Sequence, residues 1–300
     1  MSGNAYTEEQ LVEQPAMRLL AELGWATMRG LEEFLGRSRG DETQLSAGGS
    51  QSLLTSPPTS CLGRETKGEV VLVSRLRAAL ERLNPTLPPE AIIAAIDELT
   101  RDRSAMGLPA ANREVYRLLK EGIAVSVADP EAPPRRGGGQ QTVRVRVIDW
   151  ENPAANDFLL VSQFNVTGAL YTCRPDLVGF VNGLPLVVIE LKKPGVPARA
   201  AFDENLTHYK AEIPQLFWFN ALLIASNGTD SRVGSLTADW ERFFEWKRIE
   251  REDEPRRVSL EVMLRGTCDR SRLLDLVENF TLFSEHKSGL AKILGQNHQT

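Results

Sequence analysis

A chain of 300 residues with 42% hydrophobic and 25% charged content can build one large or two modest globular domains. It holds no run of about 18 apolar residues, and its amino terminus MSGNAYTEEQ has neither a basic nor an apolar leader region, so a membrane span and a secretory signal are not expected and a cytoplasmic protein is. The net charge of −5 argues against a strong electrostatic grip on nucleic acid, although net charge is a weak guide where a site itself needs carboxylates. Cys61, Cys173 and Cys268 are far apart and show no zinc-binding spacing, so they read as structural thiols.

From the amino end, residues 7–25 place Leu11, Met17, Leu19, Leu20 and Leu23 near helical spacing and stop at Gly24, which predicts an amphipathic helix. Residues 37–63 turn to Ser, Gly, Thr and Pro and read as a long flexible insertion. Helical blocks follow at 68–83, at 88–103 behind a Pro pair suited to a first turn, and at 110–120. After the Pro/Gly-rich stretch 132–141 the period changes to two, with Val143, Val145 and Val147 alternating against Arg144 and Arg146, and a sheet is expected to begin there. Strands are predicted at 142–149, 158–164, 176–181, 186–191 and 220–225, with one helix at 198–210 between the last two. This order suits an α/β domain with a central mixed sheet, and the tail from Trp240 reads as mainly helical and charged.

Glu-x-Lys pairs are common, with about one expected in a chain of this length. Four occur here: Glu65/Lys67, Glu190/Lys192, Glu245/Lys247 and Glu285/Lys287. Only Glu190 and Lys192 end a continuous apolar strand, LPLVVIELKK, and only they follow, at hairpin distance, an Asp that begins a partner strand, RPDLVGFVNG. Strand geometry puts Glu190 and Lys192 on one face. Asn182-Gly183 is the turn.

The register of that hairpin decides whether Asp176 joins them. A two-residue turn with regular pairing sets Asp176 opposite Ile189, facing away from Glu190. A three-residue loop Val181–Gly183 sets it opposite Val188, on the shared face, so an odd-length loop or a bulge is expected. Given that register, Asp176, Glu190 and the Leu191 carbonyl form a hard-oxygen set suited to Mg²⁺, and Lys192 can orient a water or offset charge during phosphodiester hydrolysis. The alternative is a surface hairpin carrying a strand-end salt bridge of little energetic value.

The stretch RPDLVGFVNGLPLVVIELKKP resembles the PD-(D/E)xK nuclease motif in the form used by the R subunits of type I restriction-modification enzymes. The likeness extends through EQLVEQPAMRLLAELGW, VVLVSRLRAALERLNPTLP, VIDWENPAANDFLLVSQFNVTG and AEIPQLFWFNALLIASNGTDSRVGS, nearly the whole chain outside 37–63. It implies a restriction-endonuclease-like α/β fold with a helical amino-terminal region, a nuclease domain over 1–255 with its core at 142–226, and a helical linker toward a motor over 256–300. It also implies a Mg²⁺-dependent endonuclease acting on duplex DNA, in a complex with methyltransferase and specificity subunits and an ATP-driven helicase motor. Family active-site residues carry over onto Asp176, Glu190 and Lys192, and an additional helix acid onto Glu13. The Gln and Tyr that the family spaces four apart on the helix after the catalytic strand fall on Asn205 and Tyr209, contact or supporting positions in which the shorter Asn departs from the pattern. His208 beside them reads as a surface residue.

No G-x-x-x-x-G-K-[ST] occurs, so no ATP site is expected in these residues. The ending FSEHKSGLAKILGQNHQT resembles the lead-in to the family's helicase domains, as in a fragment or a split subunit. Two other readings stay open: a non-catalytic coupling module of the same complex, and a stand-alone repair nuclease of the same fold.

Overall fold

The computed structural model describes residues 8–30, 62–128, 139–249, 257–287 and 289–295. The expected insertion at 37–63 therefore lies outside the described residues except for its last two positions.

The first helix is realised as a π-helical turn, Glu9–Glu13, running into α1 (Gln14–Glu22), and β1 (Ala26–Arg29) follows. The three helical blocks become α2 (Val73–Leu83), α3 (Pro89–Thr100) and α4 (Leu108–Glu121), the last two with Pro in the first turn. Next come β2 (Ile123–Ala128), β3 (Gln140–Val145), β4 (Phe158–Ser162) and the short pair β5 (Val166–Thr167) and β6 (Thr172–Cys173). The hairpin is β7 (Leu177–Val181) and β8 (Leu184–Leu191). A π-helical turn at Ala201–Leu206, α5 (Thr207–Glu212) and α6 (Pro214–Phe217) then lead to β9 (Leu222–Ser226) and β10 (Ser231–Gly234). The chain closes with α7 (Ser259–Thr267), α8 (Arg270–Glu278), β11 (Thr281–His286) and β12 (Gly289–Leu294).

Six strands form one mixed sheet in the order β1-β4-β7-β8-β9-β10. Every residue of β4, β7, β8 and β9 is buried, which explains their unbroken apolar runs: helices cover both faces, and no position needs to be polar for solvent. Because β8 and β9 are parallel, the chain must cross over between them, and the crossover carries α5 across the end of β8.

Two expectations are corrected. The alternating segment from Thr142 does not open the central sheet. As β3 it pairs only with β2, and the two form a separate ribbon whose Ile123, Val125, Val127 and Val145 turn inward. The tail is not helical throughout: β11 and β12 form an antiparallel hairpin with Thr281 level with Leu294. Its partner is α4, reached by Tyr116 Oη donating to the Thr281 carbonyl at 2.9 Å and by an Arg113–Glu285 ion pair at 2.7 Å. Helix α7 is tied to the amino-terminal region in turn, through Trp25 Nε1 donating to the Cys268 carbonyl at 2.8 Å and Arg265 pairing with Glu22 at 3.0 Å.

Lys292 of β12 is only 4% exposed, and its ammonium meets neutral oxygens, the Asn112 side chain at 3.1 Å and the Asn220 carbonyl at 2.5 Å. Burial pushes its pKa down from 10.5 to about 7. Between those values the unfolded chain binds a proton that the folded one does not, so this residue makes stability rise with pH across that window. Lys292→Met is expected to flatten the rise and to stabilise the protein most near pH 7; denaturant titrations from pH 7 to 10 that give parallel curves for both proteins would refute this.

Candidate active site

The β7–β8 hairpin solves the register problem in its own way. Asn182 and Gly183, with φ of 51° and 78°, form a two-residue turn in which both residues are left-handed, and Val181 pairs with Leu184, so the three-residue loop is not what forms. A bulge then skips one residue of β8: Phe180 pairs with Pro185, but Gly179 pairs with Val187. Beyond it Leu177 is level with Ile189, which brings Asp176 alongside Glu190 on one face. The bulge alternative is therefore the one realised.

Each component is held locally. Asn182 is fully buried, its side-chain amide donating to the Val147 carbonyl at 2.9 Å and to Asn156 at 2.8 Å while its oxygen accepts from the Asp157 N–H at 2.8 Å. A Cβ on Gly183 would stand 2.6 Å from the Leu72 carbonyl oxygen, so the turn is pressed against the start of α2. At the bulge, a Cβ on Gly179 would meet the Trp25 ring at 3.0 Å. Trp25 itself packs edge-on to Phe158, with ring centroids 5.1 Å apart.

The open end of the hairpin lines a solvent-accessible cleft of about 380 Å³ that includes Gln163, Arg174, Asp176, Glu190, Lys192 and Tyr209. Asp176 Oδ2 accepts from the Leu191 N–H at 2.8 Å, and the Asp176 N–H points to Glu190 Oε2 at 3.4 Å. Since the N–H and C=O of one strand residue point to the same side, the Leu191 carbonyl is turned toward the Asp176 side as well. Lys192 donates to Asn205 Oδ1 at 2.7 Å and pairs with Glu204 at 3.4 Å. Asn205 donates in turn to Tyr209 Oη at 3.2 Å, and Tyr209 donates to Glu190 Oε1 at 3.3 Å. Despite its shorter side chain, Asn205 thus completes a relay from Lys192 to Glu190.

Glu13, 6% exposed in the first helix, is brought to the same place, because Gln163 Nε2 donates both to Glu13 Oε2 at 2.7 Å and to Asp176 Oδ1 at 3.2 Å. All six side chains singled out from the sequence therefore converge. His208 is exposed at the lip of the cleft, as expected of a surface histidine. Gln163 was not foreseen; a Gln directly after a strand carries no signal in periodicity or spacing.

Electrostatically the site is short of positive charge. Burial first and the Asp176 carboxylate second push the Glu190 carboxyl well above the usual range. Burial also raises Asp176, against the Leu191 hydrogen bond that lowers it, and Glu8 adds to the rise. Glu13 is raised by burial and by Asp176, with the Gln163 hydrogen bond opposing. Burial and the Glu190 charge raise the Tyr209 phenol, so that it stays a donor. Among the described residues no group of three or more His, Cys, Asp or Glu side chains gathers as a metal cage, so a cation here would rely on two carboxylates and a main-chain oxygen. That donor set fits a hard divalent ion.

The mixed sheet with this hairpin at its centre is a restriction-endonuclease-like fold. The family described as type I restriction enzyme R protein N terminus matches residues 5–242, and the chain belongs to that family. It is 36% identical over 239 residues to the type I restriction enzyme HindI endonuclease subunit of Haemophilus influenzae, an alignment covering 76% of this chain and 22% of that protein. It is 28% identical over 248 residues to the putative type I restriction enzyme MjaIXP endonuclease subunit of Methanocaldococcus jannaschii, covering 75% and 23%. The chain thus spans less than a quarter of the length of these relatives.

Raised carboxyl pKa values set a sign. Glu190 holds its proton in the folded state above the ordinary 4.5, so stability present below that value is lost as pH rises through the folded pKa. In EDTA, Glu190→Gln is expected to melt at a higher temperature than the parent at neutral pH, with the gap closing toward pH 4.5. A gap that is absent, or that does not change with pH, would contradict the electrostatic reading.

Proposed function

We propose that this domain is the DNA-cleaving module of a type I restriction enzyme R subunit, a Mg²⁺-dependent endonuclease that hydrolyses phosphodiester bonds of duplex DNA. The observation that carries the proposal is the meeting of Asp176, Glu190 and Lys192 at the end of one hairpin, in a cleft open to solvent. The names of the relatives, which call them endonuclease subunits, support it.

In this reading Asp176, Glu190 and the Leu191 carbonyl hold the ion, which supplies charge stabilisation at the phosphate and a nucleophile from water at neutral pH. Lys192 stands beside the acids with its ammonium fixed by Asn205, where it offsets negative charge growing on the phosphate and orients the attacking water. Tyr209 fixes the Glu190 carboxylate from the other side, and Asn205 spaces the lysine from the tyrosine. Both sit on the crossover between β8 and β9, so the same connection that completes the sheet orients the reacting groups. Glu13 adds negative charge behind Asp176.

Methyltransferase and specificity subunits would select the DNA, and an ATP-driven helicase motor would deliver it, in the cytoplasm. These residues contain no phosphate-binding loop of the G-x-x-x-x-G-K-[ST] type, so the ATP chemistry belongs to other parts of the assembly. With a net charge of −5 the domain is expected to hold DNA weakly by itself and to depend on that delivery.

The test is plasmid cleavage by the assembled complex in Mg²⁺ and ATP. Asp176→Ala and Lys192→Ala are each expected to reduce cleavage by about 100-fold or more, with ATP hydrolysis measured alongside to verify assembly. Cleavage at the parent rate by both variants would leave the domain a coupling module and reject the nuclease reading.

A further inference from the structure

The residue that joins the two carboxylates on the Asp176 side, Gln163, is fixed more tightly than its place in a connecting segment requires. It follows β4 directly and takes a left-handed backbone, φ 55°, a conformation uncommon for any residue but Gly, Asn or Asp. Its N–H donates to the Asp176 carbonyl at 2.7 Å, and the next N–H, of Phe164, donates to the Pro175 carbonyl at 3.2 Å, so the main chain here is bonded to the segment that bears the acid. From the other side the end of β1 presses in: a Cβ on Gly30 would stand 2.5 Å from the Gln163 carbonyl oxygen and 2.8 Å from that of Ser162. Main chain and neighbours thus hold the side chain where one NH₂ group reaches Asp176 Oδ1 and Glu13 Oε2 together.

An amide suits that position chemically. It presents two N–H donors to two carboxylates and relieves their repulsion without adding charge. A lysine would neutralise Asp176 and compete with a cation for it; a glutamate would add a third negative charge to acids already disfavoured by burial.

We propose that Gln163 is a positioning residue of this site, its amide tying Asp176 to Glu13 and so setting the Asp176 carboxylate in the orientation that receives the divalent ion. The proposal rests on the nuclease reading above. Gln163 acts through the two acids rather than on the substrate, and partners of this kind are worth about 10- to 100-fold in metal affinity.

The informative variant is Gln163→Asn. Asn tolerates the left-handed backbone and keeps the amide, but it is one methylene too short to span both acids. Glu13→Leu removes the acceptor at the other end of the bridge without touching that backbone. Calorimetric Mg²⁺ titration of the 300-residue chain is expected to show an affinity about tenfold weaker for either variant. Cleavage by the assembled complex should then need about tenfold more Mg²⁺ for half its maximal rate and should approach the parent rate at saturation. Gln163→Lys should bind the ion more weakly than Gln163→Asn, because its charge competes. Unchanged Mg²⁺ affinity in both Gln163→Asn and Glu13→Leu, or equal affinity for Gln163→Lys and the parent, would overturn the positioning role. Asp176→Ala run in the same titration separates the two claims: parent-like Mg²⁺ binding by that variant would fail the nuclease reading itself.

Discussion

One skipped residue in a β-hairpin decides which side chains of this domain meet in its cleft. With the tight turn at Asn182-Gly183 and regular pairing throughout, Asp176 and Glu190 would face opposite sides of the sheet; the bulge between the Phe180–Pro185 and Gly179–Val187 pairs restores the parity that places them together. The rest of the architecture supports that hairpin. Helix α2 abuts the turn at Gly183, Trp25 lies on the bulge at Gly179, and the crossover behind β8 brings Asn205 and Tyr209 over its open end. Two of these supports, Trp25 and the crossover, come from segments about 150 residues before and about ten residues after the hairpin, so the site is a product of the fold as a whole.

The electrostatics follow from the same packing. Helices on both faces leave Glu190 with little water, and the hairpin register then sets a second carboxylate beside it. Neither cost is repaid within the described residues by a guanidinium or ammonium in direct contact with the Asp176 or Glu190 oxygens, since Lys192 is engaged with Asn205 and Glu204. A site built this way is less stable than its apolar equivalent, and a divalent ion held as proposed would offset that cost.

Much of this was legible in the residues. The apolar runs marked β4, β7, β8 and β9 because strands covered on both faces need no alternation, and the Asn-Gly dipeptide marked the turn. Parity alone required an odd loop or a bulge; the two-residue turn and the bulge that form lie against Leu72 and Trp25, contacts made across the fold. Strand β2, the pairing of β3 with it, and the β11–β12 hairpin were missed for a related reason. Ile123–Ala128 directly follows a helix end, and β11 and β12 acquire their partner, α4, only through long-range contacts with Arg113 and Tyr116. Lys292 reads as an ordinary surface lysine until Asn112 and Asn220 close over it. Gln163 was illegible because its role depends on meeting a helix acid 150 positions earlier in the chain.

The bulge also has a consequence for how such a domain can vary. In a strand with one wet face, a slip of register is punished at once, since apolar side chains are thrown into water. Strand β8 lacks that safeguard, being buried along its entire length. A copy of the gene one codon longer between Val187 and Glu190 would still encode a strand greasy on both sides, able to pair with β7 and enter the core, yet with Glu190 and Lys192 delivered to the wrong side of the sheet, whereas loss of Leu186, the residue the bulge skips, would leave Glu190 level with Asp176. For this hairpin, lineages should therefore exchange one apolar residue for another freely, while a change of one in the count of residues between Gly183 and Glu190 should be matched by the gain or loss of a bulge.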